Sequence, residues 1–334
     1  MKKAMFWEPR DQNKVQCNLC HHRCVIQPKR RGICGVRENR DGTLYSLVYG
    51  KLGAQAVDPI EKKPLYHFLP GSASLSIATR GCNFQCLHCQ NCHLSQVSKE
   101  ESFDREVFVS PEQVVQAAVA CGCRSISYTY TEPTIFFEYV CDIARIAAEN
   151  GLKNVLVTNG YITPEALRYG APYVDAANID LKFFLDEQYR KICGARLRPV
   201  LDTIELYRHL GIWIEITTLV IPTYNDSEDQ LRGIAKFLVG LSVDIPWHVS
   251  AFHPTYKMEN VPPTPPSILE RAEEIGLEQG LKYVYPGNVN LRSDTRCPEC
   301  QSVLIERGWF RVISNRLDGS KCPACGTEIA GLWV

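Results

Sequence analysis

The sequence predicts an α/β fold: a partial, open (β/α)6 barrel, with a small cysteine-rich region before it and a compact two-knuckle module after it. Two observations carry this expectation. Strand-like and helix-like segments alternate regularly through the middle of the chain, and eleven of the sixteen cysteines gather into three clusters, one in each region. The expected divisions are residues 1–72, 73–290 and 291–334.

The strands are read from short apolar, β-branched runs. They are SLSIAT (74–79), SISYTY (125–130), NVLVT (154–158), VDAANIDL (174–181), IWIEITTLVI (212–221), PWHVSAF (246–252) and KYVY (282–285). Helical patterns fall between them. PEQVVQAAVACG starts at Pro111, a residue suited to a first helical turn, and TIFFEYVCDIARIAAENG stops at Gly151, suited to a helix end. PEALRYG, DTIELYRHLG, SEDQLRGIAKFLVG and PSILERAEEIGLEQG repeat the pattern. Strand–helix units in series give parallel strands with right-handed crossovers. Some six units are too few for a closed eight-unit barrel of roughly 250 residues, so the barrel should be open. Ligands of such sheets bind at the carboxyl ends of the strands, which makes the residues just after each strand the informative ones.

Composition narrows the function classes. The 334 residues carry 37 Lys and Arg against 37 Asp and Glu, and zero net charge argues against a protein devoted to nucleic acid. No apolar run suits a signal peptide or a membrane span, so a cytoplasmic protein without a membrane partner is expected. Clustered cysteines in that compartment point to metal rather than disulfides. Cys92, Cys121, Cys123, Cys141 and Cys193 stand outside the clusters and read as buried, inert thiols. Residues 1–51 hold eleven basic against four acidic residues, including PKRR at 28–31, which suits a solvated basic loop or a dock for an acidic partner.

The central cluster is RGCNFQCLHCQNC (80–92), with Cys82, Cys86 and Cys89 separated by three and then two residues. Three thiolates at that spacing wrap one face of something larger than a single ion, an iron–sulfur cluster with one iron free of protein sulfur. CNFQCLHC, placed after the first strand of a partial barrel, resembles the CxxxCxxC loop of the radical S-adenosyl-L-methionine (SAM) superfamily, whose barrel is TIM-like. The resemblance implies a [4Fe-4S] cluster on these three catalytic cysteines and SAM chelated by the open iron. It also implies reductive cleavage of SAM to a 5′-deoxyadenosyl radical that abstracts hydrogen. His88 and Asn91 of the loop, Glu132 in YTEPT, Thr158 and Asn159 in VTNG, Asp180 and Lys182 in NIDLK, and His253 in AFHP fall where related enzymes hold SAM. Val157 stands where some glycyl-radical-enzyme activases have an aspartate, which argues against a monovalent-cation site.

The flanking clusters read differently. Cys297, Cys300, Cys322 and Cys325 form two CxxC knuckles across a predicted hairpin, the pattern of a structural zinc ribbon. Cys17, Cys20, Cys24 and Cys34 suit either zinc or a closed iron–sulfur cluster; the glycines beside Cys34 lean toward a tight zinc knuckle. CNLCHHRC, GICGVREN, DPIEKKPLYHFLPGSASLSIATRGCNFQCLHCQN, YTEPT and CPACGTEIAGLW together resemble the AmmeMemoRadiSam system radical SAM enzyme. That resemblance implies AMMECR-type and Memo-type partners, with a one-electron donor such as flavodoxin or ferredoxin. Two alternatives stand beside it: an activase of a glycyl radical enzyme, and a metal-dependent scaffold with an idle barrel.

Overall fold

The computed structural model describes residues 1–333; Val334, the last residue of the expected carboxyl-terminal module, lies outside them. The chain begins with two small antiparallel sheets. One joins β1 (Lys2–Lys3), β6 (Thr43–Ser46) and β5 (Arg37–Arg40); the other joins β2 (Trp7–Arg10), β3 (Lys14–Cys17) and β4 (Val25–Ile26). A buried ion pair fixes this region to the barrel. Arg37 Nη2 lies 2.8 Å from Glu138 Oε1, with both side chains almost wholly enclosed, and the Met5 amide donates to the same oxygen at 2.7 Å.

The central sheet has eight strands in chain order. β8 (Ala73–Ala78), β9 (Ser125–Tyr128), β10 (Lys153–Thr158), β11 (Ala176–Asp180), β12 (Trp213–Val220), β13 (Trp247–Ala251) and β14 (Val284–Gly287) run parallel. All seven expected strands are therefore present, and the first and last strands of the sheet do not pair, so the barrel is open. The eighth strand, β7 (Ala54–Pro59), pairs antiparallel with β8 from Ala54↔Ala78 to Pro59↔Ala73. It belongs to the barrel sheet although it lies within residues 1–72, so the sheet begins earlier than the sequence suggested. β9 and β13 are buried at every position, as strands covered on both faces must be.

The covering helices are α2 (Pro111–Ala120), α3 (Phe137–Glu149), α4 (Pro164–Gly170), α6 (Leu197–His209), α7 (Glu228–Leu241) and α8 (Pro266–Glu278); the short turns α1 (Cys92–Ser95) and α5 (Asp186–Gln188) lie in loops. A capping box between Ser110 and Gln113 starts α2. α6 begins at Leu197 rather than near Asp202, because the Asp186 carboxylate accepts from the Leu197 amide at 2.8 Å and caps the helix from a distant loop. No helix of the described residues is long and apolar enough to cross a membrane.

The carboxyl-terminal module forms a sheet of β15 (Thr295–Arg296), β16 (Val303–Gly308) and β17 (Arg311–Asn315). It packs on the last barrel strand: Leu304, Ile305 and Ile329 share a core with Tyr66, Tyr283 and Tyr285. Arg307 stacks 4.3 Å from the Tyr66 ring and donates to the Tyr66 carbonyl at 2.7 Å. The apolar residues that a small ribbon could not bury alone are thus covered by the barrel.

Candidate active site

At the carboxyl ends of the strands lies a cleft of about 550 Å³, and the loop after β8 forms its floor. Gly81 opens that loop at φ +98°, where a Cβ would meet the Cys34 carbonyl oxygen at 2.8 Å, so neither the conformation nor the space admits a side chain. Cys82, Cys86 and Cys89 all line the cleft. The loop between them has little regular structure and is held from outside: the amides of Gln85 and Leu87 donate to the carbonyls of Cys193 and Ile192 at 2.9 and 3.0 Å. Phe84, buried between Tyr161 and Tyr189, anchors it to the core. Burial and the nearby Glu132 carboxylate push the Cys82 thiol well up, so it needs a bound cation to become a thiolate. Cys92 begins α1 and does not line the cleft.

Glu132 is the hub of the opposite wall. Its Oε1 accepts from Thr134 N at 3.0 Å, Thr134 Oγ1 at 2.5 Å and Thr158 Oγ1 at 2.8 Å, while Oε2 accepts from Asn159 N at 2.8 Å. Burial drives this carboxyl upward, and the four donors oppose that shift. Asn159 Nδ2 in turn donates to Asn83 Oδ1 at 2.7 Å, joining the end of β10 to the cysteine loop. Gly160 follows at φ +70°, with Ile179 Cγ2 3.0 Å from where its Cβ would stand. Asn91 donates to the Tyr130 carbonyl at 2.8 Å and ties the far end of the loop to β9.

Asp180 and Lys182 pair at 2.8 Å in the cleft. Burial alone would lower the Lys182 ammonium, but Asp180 beside it holds it well above its ordinary value, so the lysine stays charged. His88 lines the same cleft; burial, reinforced by Lys182, lowers it to about 3, which keeps the ring neutral. Its Nδ1 is enclosed yet has no hydrogen-bond partner in the protein, and the residue lines the cleft. Val157 also lines the cleft, with no carboxylate at its position.

One expected site residue is not there. His253 is exposed, does not line the cleft, and its ring Nε2 sits 3.4 Å from the Asn288 carbonyl oxygen. Among the lining residues that the strand-end reading passed over are Lys62, Lys63 and Phe310. Lys63 is buried and binds Asp58 at 2.7 Å, and Tyr130, at φ +63°, reaches the same carboxylate. Burial opposes it, yet the Lys63 and Tyr130 hydrogen bonds hold the Asp58 carboxyl below its usual range. The signal was available in the KKP of DPIEKKP, just after β7. Phe310 comes from the turn between β16 and β17, so the carboxyl-terminal module reaches the rim of the cleft.

The other two cysteine sets differ from each other. Cys297 Sγ and Cys325 Sγ stand 3.5 Å apart, Cys300 Sγ and Cys322 Sγ 3.6 Å, and all four sulfurs lie within 4.8 Å of one another. Ligands about 2.3 Å from a tetrahedral ion are separated by about 3.8 Å, so this set is drawn in to the spacing of one metal ion. Cys17, Cys20, Cys24 and Cys34 line one small cavity under the barrel wall without converging in that way.

Comparison with known proteins decides the family. Residues 76–237, from β8 into α7, match the model of the radical SAM superfamily, and the match contains all three cysteines of the cleft. The chain belongs to the radical SAM superfamily. An uncharacterized protein of Methanocaldococcus jannaschii is 48% identical over 334 residues, covering 98% of this chain and 99% of its own length. The pyruvate formate-lyase-activating enzyme of Clostridium pasteurianum is 21% identical over 164 residues, 48% of this chain and 66% of that enzyme. A radical SAM methyltransferase from Sphaerobacter thermophilus shares the fold, with a TM-score of 0.51 and 15% identity over 66% of this chain and 68% of that one. Membership makes the chain a radical SAM enzyme, and it implies a [4Fe-4S] cluster and SAM. The cleft fits both: three thiols line its floor, and His88 and the charged Asp180–Lys182 pair line the same space.

Proposed function

We propose that the chain reductively cleaves SAM and directs the resulting radical to a substrate presented from outside, in concert with AMMECR-type and Memo-type proteins. The observation that supports this most is the continuity of the cleft, which runs from Cys82, Cys86 and Cys89 past Glu132 and Asp180 to Lys62, Lys63 and Phe310. A site that reaches its rim among residues of two modules suits a substrate brought by another protein.

When bound by the three cysteines, the cluster supplies the single electron that breaks the SAM sulfonium C–S bond. The protein's own residues do the placing. Glu132 holds Thr158 and Asn159 in one orientation, leaving Oε2 a free lone pair toward the SAM ammonium. Lys182, kept charged, suits the SAM carboxylate, and Asp180 suits its ribose. His88 offers a neutral edge to the adenine. The carboxyl-terminal cysteines hold zinc as a closed, structural site that fixes Phe310 at the rim.

A second reading, activation of a glycyl radical enzyme, draws support from the likeness to the pyruvate formate-lyase-activating enzyme. Electron paramagnetic resonance separates the two. Anaerobic enzyme, SAM and reductant are incubated with AMMECR-type and Memo-type proteins, and separately with a glycyl radical enzyme. The proposal expects a modified small molecule by mass spectrometry and no glycyl radical; a stable backbone radical on the second partner would replace it with the activase reading. Intact cluster without any SAM cleavage would favour a scaffold.

A further inference from the structure

The structure carries an internal standard for reading its cysteines. The carboxyl-terminal set is drawn in to single-ion spacing, with sulfurs 3.5 and 3.6 Å apart. The three cysteines of the active-site loop are not, as expected of residues that surround a cluster several ångströms across. Cys17, Cys20, Cys24 and Cys34 behave like the second group: no three of their sulfurs lie within 4.8 Å of one another, yet all four line one enclosed cavity. Leu19, Ile26, Ile33 and Ile135 give the cavity an apolar side, and His22, Arg37, Asn83 and Thr134 give it a polar one.

Arg37 supplies an independent sign. The side chain is 2% exposed and lines the same cavity. Its Nη1 and Nη2 are used by Glu138 and the Met5 carbonyl, whereas its Nε has no acceptor in the protein. A buried guanidinium N–H without a partner implies an anionic acceptor in that space, and bridging sulfides and thiolates of a cluster are such acceptors. The site also adjoins the active-site loop. His22 Nε2 lies 2.7 Å from the Asn83 carbonyl oxygen, Asn83 lines the cysteine cavity, and Cys34 and Cys82 share one surface cleft of about 290 Å³.

We infer that Cys17, Cys20, Cys24 and Cys34 hold a second iron–sulfur cluster, next to the radical SAM cluster and within electron-transfer range of it. In the hand-over, an external one-electron reductant of the flavodoxin or ferredoxin class loses one electron. A cluster held by Cys17, Cys20, Cys24 and Cys34 would take up that electron and could pass it on toward the site on Cys82, Cys86 and Cys89, with no bond made or broken. The metal assignment stands without the SAM reading; the hand-over rests on it.

The test is metal and sulfide analysis of the full chain prepared anaerobically, together with a Cys82→Ala/Cys86→Ala/Cys89→Ala variant. The wild type should hold roughly eight iron and one zinc per chain, and the variant should keep about four iron with a low-spin cluster signal after dithionite reduction. In the fully reduced wild type the two signals should broaden each other, and the broadening should vanish in the variant. About four iron with two zinc in the wild type, or a variant stripped of iron, would overturn the second cluster. Two clusters without mutual broadening would overturn the hand-over. Because both readings use the wild type and a variant outside the amino-terminal site, misfolding of that region does not cloud the result. Retained iron in a variant unable to cleave SAM also separates this inference from the proposed function.

Discussion

Glu132→Gln changes one atom of the site and should cost more than its size suggests. The carboxylate receives four hydrogen bonds, three on Oε1 and one on Oε2. An amide can present its oxygen to the three donors of Thr134 and Thr158, but its NH2 then faces the Asn159 amide, donor against donor. One charge-assisted hydrogen bond is lost, about 1.5–3 kcal/mol, and a buried N–H of Asn159 is left unpaired at a further cost of about 1–3 kcal/mol. Turning the amide the other way strands three donors instead. The strand-end segment Thr158-Asn159 should therefore shift, and with it the Asn159–Asn83 bond that joins β10 to the cysteine loop. The expected result is a loss of about 2–5 kcal/mol in urea-induced unfolding, together with at least tenfold weaker SAM binding by equilibrium dialysis at unchanged cluster content. Unchanged stability and SAM affinity would refute the assignment of Glu132 as the hub. Weakened SAM binding at wild-type stability would instead make it a plain ligand.

Other consequences follow from the packing of the modules. Arg37→Met leaves Glu138 buried without its cation and should destabilise the chain by about 3–5 kcal/mol in urea unfolding, whereas the Arg37→Met/Glu138→Met double variant should recover much of the loss. His67, whose Nδ1 and Nε2 engage the Ala330 carbonyl and the Tyr285 hydroxyl, is lowered by burial from 6.5 to about 4. The unfolded chain takes up this proton near 6.5 and the folded chain does not. About 3 kcal/mol of stability, present above pH 6.5, should thus be lost as the pH falls toward 4. A His67→Gln variant should show a correspondingly flatter pH dependence of unfolding, and an equally steep one would contradict the linkage. Cys322→Ala should release zinc and open the segment after residue 291 to protease while the visible absorbance of the active-site cluster persists; iron in place of zinc there would make the ribbon an electron-transfer site.

Much of the barrel was legible because a strand buried on both faces is a short run without charged residues, as in SLSIAT and NVLVT, and because proline and glycine mark where helices start and stop. β7 was not, since AQAVDP alternates weakly, exposes Val57 and has its register set by β8 rather than by its own pattern. The early start of α6 depends on Asp186, eleven residues away, which no local pattern reveals. In the site, the cysteine loop and the strand-end polar residues were readable from spacing and position. Partnership was not: that Glu132 gathers Thr134, Thr158 and Asn159 is a product of two strand ends meeting, those of β9 and β10. Lys63 and Phe310 reach the cleft from a loop before the barrel core and from the ribbon, far from any strand-end motif. His253 shows the reverse failure, a histidine at the right place in the chain that the backbone turns outward. The amino-terminal cysteines offer four ligands that suit zinc and a cluster alike, and how far apart their sulfurs stand is not legible from their spacing in the chain.

The central claim is that Cys82, Cys86 and Cys89 make this chain a SAM-cleaving enzyme. Its most direct test is product analysis by mass spectrometry after anaerobic reconstitution with iron and sulfide and incubation with SAM and dithionite. The account predicts methionine and 5′-deoxyadenosine in equal amounts from the wild type and from Cys92→Ala, and neither product from Cys82→Ala, Cys86→Ala or Cys89→Ala. Intact SAM after incubation with a fully loaded wild-type protein, or cleavage that survives the loss of any of the three cysteines, would contradict it.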